Sequence, residues 1–175
     1  MDATAVSLAP LNPVNDLGAV GAVYRRAADY LELESGLTPE EAALAFFADR
    51  PPTNIEEPLK FGVRDDDGAL VAIGDLAFGY PEPGDAYLGL LLLVPEMRDK
   101  GLGRAILGEV KQLAQVRGAS RLLIGVLDAN IRARSFWEGQ GFELTRTSGP
   151  HAFGERWHVV HRFEMLLTGI SGNCA

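Results

Sequence analysis

The chain is expected to fold as a single mixed α/β domain, and three observations carry that expectation. Two nearly continuous apolar runs, Tyr87–Val94 and Arg121–Val126, have the pattern of sheet strands covered on both faces. Two longer stretches, 16–34 and 101–116, repeat their apolar residues at three- and four-residue intervals, as amphipathic helices do. Asp65-Asp66-Asp67-Gly68 and Tyr80-Pro81-Glu82-Pro83-Gly84 then read as turns between short apolar strands. A chain of 175 residues builds one proper core, whereas two domains would be cramped. No repeat or low-complexity segment divides it, so residues 1–175 are taken as one domain, with 168–175 as a tail.

The elements follow in order. Ala5–Leu11 is a short first strand closed by Pro10 and Pro13. Asn15 or Asp16 caps a helix running to about Glu34, with Val20, Val23, Tyr24, Ala27 and Leu31 on its apolar face. Thr38-Pro39-Glu40-Glu41 opens a second helix as a capping box with proline in the first turn. Leu59–Val63 and Ala69–Phe78 form a hairpin around the Asp-Gly turn. The acidic run there lacks the ligand spacing of a calcium loop. Tyr87–Val94 is the central strand, Gly101–Val116 a helix and Arg121–Val126 another buried strand. Asn130–Gly139 is a short helix, and Phe142–Thr147 and Trp157–Leu167 close the chain as two antiparallel strands.

Charge and composition exclude several functions. A net charge of -8 argues against a general nucleic-acid binder, which needs a positive surface to neutralise phosphates. It weakly favours a cationic partner. The longest apolar run, Leu88–Val94, falls far short of the roughly 20 residues of a membrane span. Met1-Asp2-Ala3-Thr4-Ala5 lacks the positive cluster of a secretion signal. The single cysteine, Cys174, forms neither an internal disulfide nor a metal cluster, so a reducing cytoplasm is expected.

The sharpest motif is the junction Arg98-Asp99-Lys100-Gly101-Leu102-Gly103-Arg104. A buried strand ends at Val94, and Pro95 stops its ladder because it has no N–H. Two glycines then open an apolar-periodic helix. A helix N-terminus presents unpaired N–H groups and partial positive charge, and glycines let a diphosphate approach the backbone. Arg98, Lys100 and Arg104 add positive charge. A Rossmann fingerprint fails because Ile106 stands where its third glycine belongs, and a P-loop fails because Glu109-Val110 follows Gly108.

From Leu88 to Phe142 the chain resembles the GNAT N-acetyltransferase superfamily. Arg98, Gly101 and Gly103 match its Arg/Gln-x-x-Gly-x-Gly/Ala turn. Asn130, Ala133, Phe136-Trp137 and Gly141-Phe142 match its second signature, one helix and one strand later. The resemblance implies a mostly antiparallel central sheet, flanked by helices, whose central strands splay apart. Acetyl-CoA would enter that gap as cosubstrate, with its pantetheine arm on free backbone groups near Leu92 and Val94. Residues 98–104 would hold the pyrophosphate through main-chain N–H groups. Asn130 would bond the pantetheine or the neighbouring backbone, although asparagine there is equally a plain helix cap. Phe136 and Trp137 would line the thioester end.

The implied reaction is direct acetyl transfer to a neutral amine, without a covalent acyl-enzyme. A main-chain N–H near Leu93 or Val94 would stabilise the oxyanion. Two departures from the family pattern follow. Trp137 stands where many members have a tyrosine acid, and an indole N–H donates a hydrogen bond but no proton. The all-apolar central strand lacks the usual carboxylate base. Asp75, the one charge in the apolar strand 70–78, is the best replacement. Tyr87 is a second candidate, as a proton relay or acceptor-site wall. Glu96 lies beside the turn. His158 and His161, three apart on a strand, point to opposite faces and do not suit a shared metal. The acceptor is expected to be an amine of a small molecule or a peptide, drawn by carboxylates such as Glu32, Glu34, Glu56, Glu57 and Glu155. The assembly is a monomer or a homodimer. The alternative function is a CoA-binding regulatory module that has lost catalysis.

Overall fold

A computed structural model describes residues 6–53 and 56–168; Ala5, Cys174 and the tail from 169 onward lie outside them. Seven strands form one sheet in the order β1-β2-β3-β4-β5-β7-β6. The strands are β1 (Ala9–Pro10), β2 (Leu59–Arg64), β3 (Leu70–Phe78), β4 (Asp85–Leu93), β5 (Arg121–Leu127), β6 (Glu143–Phe153) and β7 (Arg156–Leu166). Every neighbouring pair is antiparallel except β4 with β5. The helices are α1 (Pro13–Arg26), α2 (Ala28–Glu34), α3 (Pro39–Ala48), α4 (Leu102–Val116) and α5 (Ile131–Gly139). The expected mixed fold, mostly antiparallel and flanked by helices, is the one observed.

Helix α1 packs on α3 and over β3, and α4 packs against β4. The core joins Val20, Val23 and Phe46 from α1 and α3 to Ile73 and Leu76 of β3 and Ile106 of α4, all buried. Each such side chain contributes about 1.5–3 kcal/mol through removal from water. Thr38 caps α3 through the expected reciprocal box: its hydroxyl accepts from the Glu41 N–H, and Glu41 accepts from the Thr38 N–H.

The N-terminal region differs from expectation in three ways. The first strand shrinks to Ala9–Pro10. The cap of α1 is Asn12, not Asn15 or Asp16. Its side chain accepts from the Asn15 N–H, Asp16 accepts from the Asn12 N–H, and Pro13 occupies the first turn, where a missing N–H costs nothing. The single helix expected to reach Glu34 breaks at Ala27, which is fully buried at φ -96° and ψ 40°. No glycine or proline marks that break, so apolar periodicity runs straight through it. The strand β6 also runs longer than 142–147 implies, whereas β7 keeps the expected eleven residues shifted by one. Gly149 and Pro150 read as a stop in the sequence, but β6 is the sheet edge, where proline removes no ladder bond. A bulge between Ser148 and His151 absorbs the irregularity.

Candidate active site

The two central strands part in the middle of the sheet. β4 pairs with β5 only from Asp85↔Arg121 to Leu88↔Ile124. Beyond that, β4 stays on β3 as far as Leu93↔Ala72, and β5 stays on β7 as far as Leu127↔Val160. Divergence begins at Gly89, the extra residue of a β-bulge opposite Asp75 and Leu76. A bulge bends its strand and increases its twist, which separates β4 from β5.

The backbone left free in this gap follows from one hydrogen bond. The Val94 N–H donates to the Val71 carbonyl of β3 at 3.0 Å. Backbone groups alternate sides along an antiparallel strand, so Leu92 also faces β3, and Leu91 and Leu93 face the gap. This corrects the expectation of free groups at Leu92 and Val94, which was displaced by one residue. Of the two N–H groups expected at the oxyanion, Leu93's faces the gap and Val94's is taken by β3. The Leu93 carbonyl accepts from Arg98 Nε at 3.1 Å.

After a single 3-10 turn, Pro95–Met97, the chain reaches the glycine junction. Asp99 and Gly101 both take left-handed backbone, at φ 58° and 85°. No side chain caps α4 at Gly101. The first N–H groups of α4 thus form an open donor cluster at the end of the gap. A Cβ on Gly103 would lie 3.3 Å from Phe136 Cζ, so the two sequence signatures meet in space. Lys100 and Arg104 are exposed beside the turn.

Several predicted residues take other partners. The Arg98 guanidinium is mostly buried and forks onto Asp29 of α2, which holds the Asp29 carboxyl below its usual range. Asp99 pairs with Arg132 of α5 at 2.6 Å. Asn130 caps α5 by accepting from the Ala133 N–H at 3.1 Å. Trp137 is 7% exposed, between the rings of Phe136 and Phe142, so Phe136 is the half-buried ring of the pair and Trp137 stands behind it. Glu96 bonds to Arg26.

On the other side of the bulge lies a cavity of about 550 Å³. Its floor is Gly89 and Leu90 of β4, and its walls come from α1, the end of α2, α3 and the 152–154 end of β6. Three carboxylates line it: Glu34, Asp49 and Asp75. Asp75 is 8% exposed. Its Oδ2 accepts from Lys60 Nζ at 2.8 Å, whereas its Oδ1 is buried with no hydrogen-bond partner. Burial pushes the Asp75 carboxyl above the usual carboxylate range, and Lys60 pulls it back in part. A Cβ on Gly89 would meet Asp75 Oδ2 at 3.4 Å. The carboxylate from β3 therefore occupies space that a side chain on β4 would otherwise fill.

Glu34 was expected only as one surface carboxylate among several. Of that group it alone lines the cavity: Glu32 pairs with Arg156, Glu56 with Arg117, and Glu57 with Arg50. The Tyr30 hydroxyl donates to Glu34 Oε1 at 2.6 Å, and burial raises the Glu34 carboxyl. Tyr24, missed as a site residue, has its hydroxyl pushed up first by burial and then by Glu34, Asp75 and Asp49 together. Lys60 was also missed, although a lone charge in an apolar strand is the same signal that singled out Asp75.

Tyr87 is outside the cavity lining. Its hydroxyl reaches Gly125, its ring packs edge-on against Tyr80, and Arg162 lies over it. The histidines part as their spacing requires. His158 is buried and its Nε2 meets the Glu34 carbonyl at 2.8 Å, whereas His161 meets the Thr147 hydroxyl at 3.0 Å. Among the described residues no helix is long and apolar enough to cross a membrane.

Comparison with known proteins agrees with this geometry. The sequence profile of the acetyltransferase (GNAT) family matches residues 23–142. A thialysine N-epsilon-acetyltransferase from Bos taurus is 29% identical over 145 residues, spanning 79% of this chain and 85% of that protein. The crystal structure of an acetyltransferase from Thermus thermophilus is similar at TM-score 0.74 and 26% identity, over 95% of this chain and 100% of that one. The ribosomal-protein-S18-alanine N-acetyltransferase from Escherichia coli shares the fold at TM-score 0.66 and 18% identity, over 97% and 99% of the two chains.

Proposed function

The chain belongs to the acetyltransferase (GNAT) family and is an acyltransferase, and from that premise we propose that it transfers the acetyl group of acetyl-CoA to a primary amine of a small molecule. One observation carries this reading: the gap between β4 and β5 has an open helix N-terminus at one end and a carboxylate-lined cavity at its bulge. The first is suited to a pyrophosphate and the second to an ammonium group. The bovine relative's name, which specifies a side-chain amine of a small molecule, supports the acceptor class.

In this reading the N–H groups of residues 101–104 hold the pyrophosphate, with Lys100 and Arg104 beside them. Leu91 and Leu93 offer backbone to the pantetheine arm, and Phe136 packs against the turn. Asp75 takes a proton from the acceptor ammonium, and its raised pKa brings it closer to the proton it must accept. The neutral amine attacks the thioester carbonyl, a C–N bond forms, and the C–S bond breaks as the CoA thiolate leaves, the thiolate taking up the proton that the nitrogen sheds on becoming an amide. The Leu93 N–H stabilises the oxyanion between those events. Arg98 acts by position: it ties the turn to Leu93 and to α2.

Thermal denaturation with acetyl-CoA tests the donor half. At a hundredfold excess over Kd, a ligand stabilises by about 2.7 kcal/mol. That raises the Tm of a domain this size by roughly 5–10 °C. Gly103→Trp fills the space in front of Phe136 and abolishes the shift. No shift at millimolar acetyl-CoA would defeat the proposal.

A further inference from the structure

The cavity beside Gly89 carries more negative charge than one reacting amine requires. Glu34, Asp49 and Asp75 reach it from α2, the end of α3 and β3, and no lysine, arginine or histidine is among its lining residues. Lys60 stands behind the lining: it pairs with Asp75, donates to the Asp49 carbonyl at 3.1 Å and lies over the Phe46 ring, so it offsets one of the three carboxylates. Asp75 Oδ1 is a buried acceptor with no donor. Such an atom is costly unless a ligand supplies the missing hydrogen bond.

Glu34 is held rather than free. The Tyr30 hydroxyl fixes one oxygen, and His158, itself 3.4 Å from Asp128, anchors the Glu34 carbonyl. A carboxylate fixed at the end of α2, with apolar Leu37, Phe46 and Leu90 in the same lining, suits an aliphatic chain with a cation at each end.

We infer that the acceptor is an aliphatic amine with a second cationic group and no carboxylate: the reacting amine sits at Asp75 and the distal cation at Glu34, with Asp49 at the mouth. The inference rests on the acetyltransferase reading above and narrows its substrate class. It separates this chain from the relative named for thialysine, an amino acid. A carboxylate on the acceptor would face Glu34 and Asp49 as well as the Lys60-paired Asp75, with no lysine, arginine or histidine in the lining to receive it.

The test is steady-state CoA-thiol release by the full chain with three matched acceptors: 1,4-diaminobutane, 1-aminobutane and 4-aminobutanoate. A second set with a five-carbon spacer, including lysine, scans length. The expected kcat/KM for the better diamine exceeds that of its monoamine by about tenfold or more, the discrimination expected of one partly desolvated ion pair. The amino acids fall below the monoamine. Glu34→Gln lowers the diamine-to-monoamine ratio towards one. Asp49→Asn, at an exposed position that tolerates change, lowers it partially and guards against a folding defect in the first variant. Equal kcat/KM for diamine and monoamine, or preference for an amino acid, overturns the inference and leaves acetyl transfer standing. Absence of turnover with every amine, despite acetyl-CoA binding by calorimetry, overturns both.

Discussion

The Lys60–Asp75 pair separates structural from catalytic demands at one position. Nζ and Oδ2 are 2.8 Å apart, and the two side chains are 6% and 11% exposed. In Asp75→Asn the Lys60 ammonium stays buried without its counter-ion, which costs about 3–5 kcal/mol. For a domain of this length each kcal/mol lowers Tm by about 2–4 °C, so the variant melts roughly 6–20 °C below wild type. Replacing both partners, as in Lys60→Met with Asp75→Leu, removes both charges and the desolvation cost with them, and recovers most of that loss. Catalysis does not recover. Loss of a general base lowers kcat by about 10²–10⁴, and the double variant stays as slow as Asp75→Asn. The deficit shrinks as pH rises towards the acceptor's own pKa, because more amine then arrives neutral. Urea and thermal melts measure the first effect, and CoA-thiol release at two pH values the second. A double variant as unstable as the single would refute the pair energetics. An Asp75→Asn enzyme with wild-type kcat at neutral pH would refute the base assignment.

Three further outcomes follow from the site. Gly101→Ala forces a Cβ onto φ 85° with nothing else nearby, so it strains the turn by about 1–2 kcal/mol and weakens acetyl-CoA affinity, as calorimetry and a melt will register. Asn130→Ala removes the α5 cap, costs about 1 kcal/mol, and lowers Tm by about 2–4 °C. The acidic limb of kcat/KM against pH reports Asp75, whose carboxyl is raised by burial: activity falls as pH drops through a pKa above the usual carboxylate range.

Much of the fold was legible because local chemistry and tertiary packing agreed. The Thr38 capping box and the Asp65–Gly68 turn are set by side-chain-to-backbone hydrogen bonds a few residues apart, the α4 face by burial of Ile106 and Val110, and each forms as read. The break at Ala27 was not legible, since it is set by packing around a fully buried alanine rather than by any helix breaker. The edge strand β6 was cut short because Pro150 reads as a stop until its place in the sheet is known. At the site, the glycine turn was legible from spacing; its meeting with Phe136 was not, because the resemblance implied only that this ring lines the thioester end. Strand phase was not: whether Leu92 or Leu93 faces the gap depends on the Val94–Val71 bond, which the sequence does not display. The cavity was the least legible part. Tyr24, Glu34, Asp49 and Asp75 come from four elements; the sequence marked Asp75 as a lone charge in an apolar strand and Glu34 only as one carboxylate among several.

The most direct test is the reaction itself, with free CoA thiol and acetylated amine quantified in one incubation of the pure protein, acetyl-CoA and 1,4-diaminobutane. Acetyl transfer across the β4–β5 gap predicts one acetylated amine for each CoA released, sustained over many turnovers and abolished by Gly103→Trp. Acetyl-CoA that binds at the turn, yet yields neither product with any amine supplied, would contradict it and identify a binding module instead.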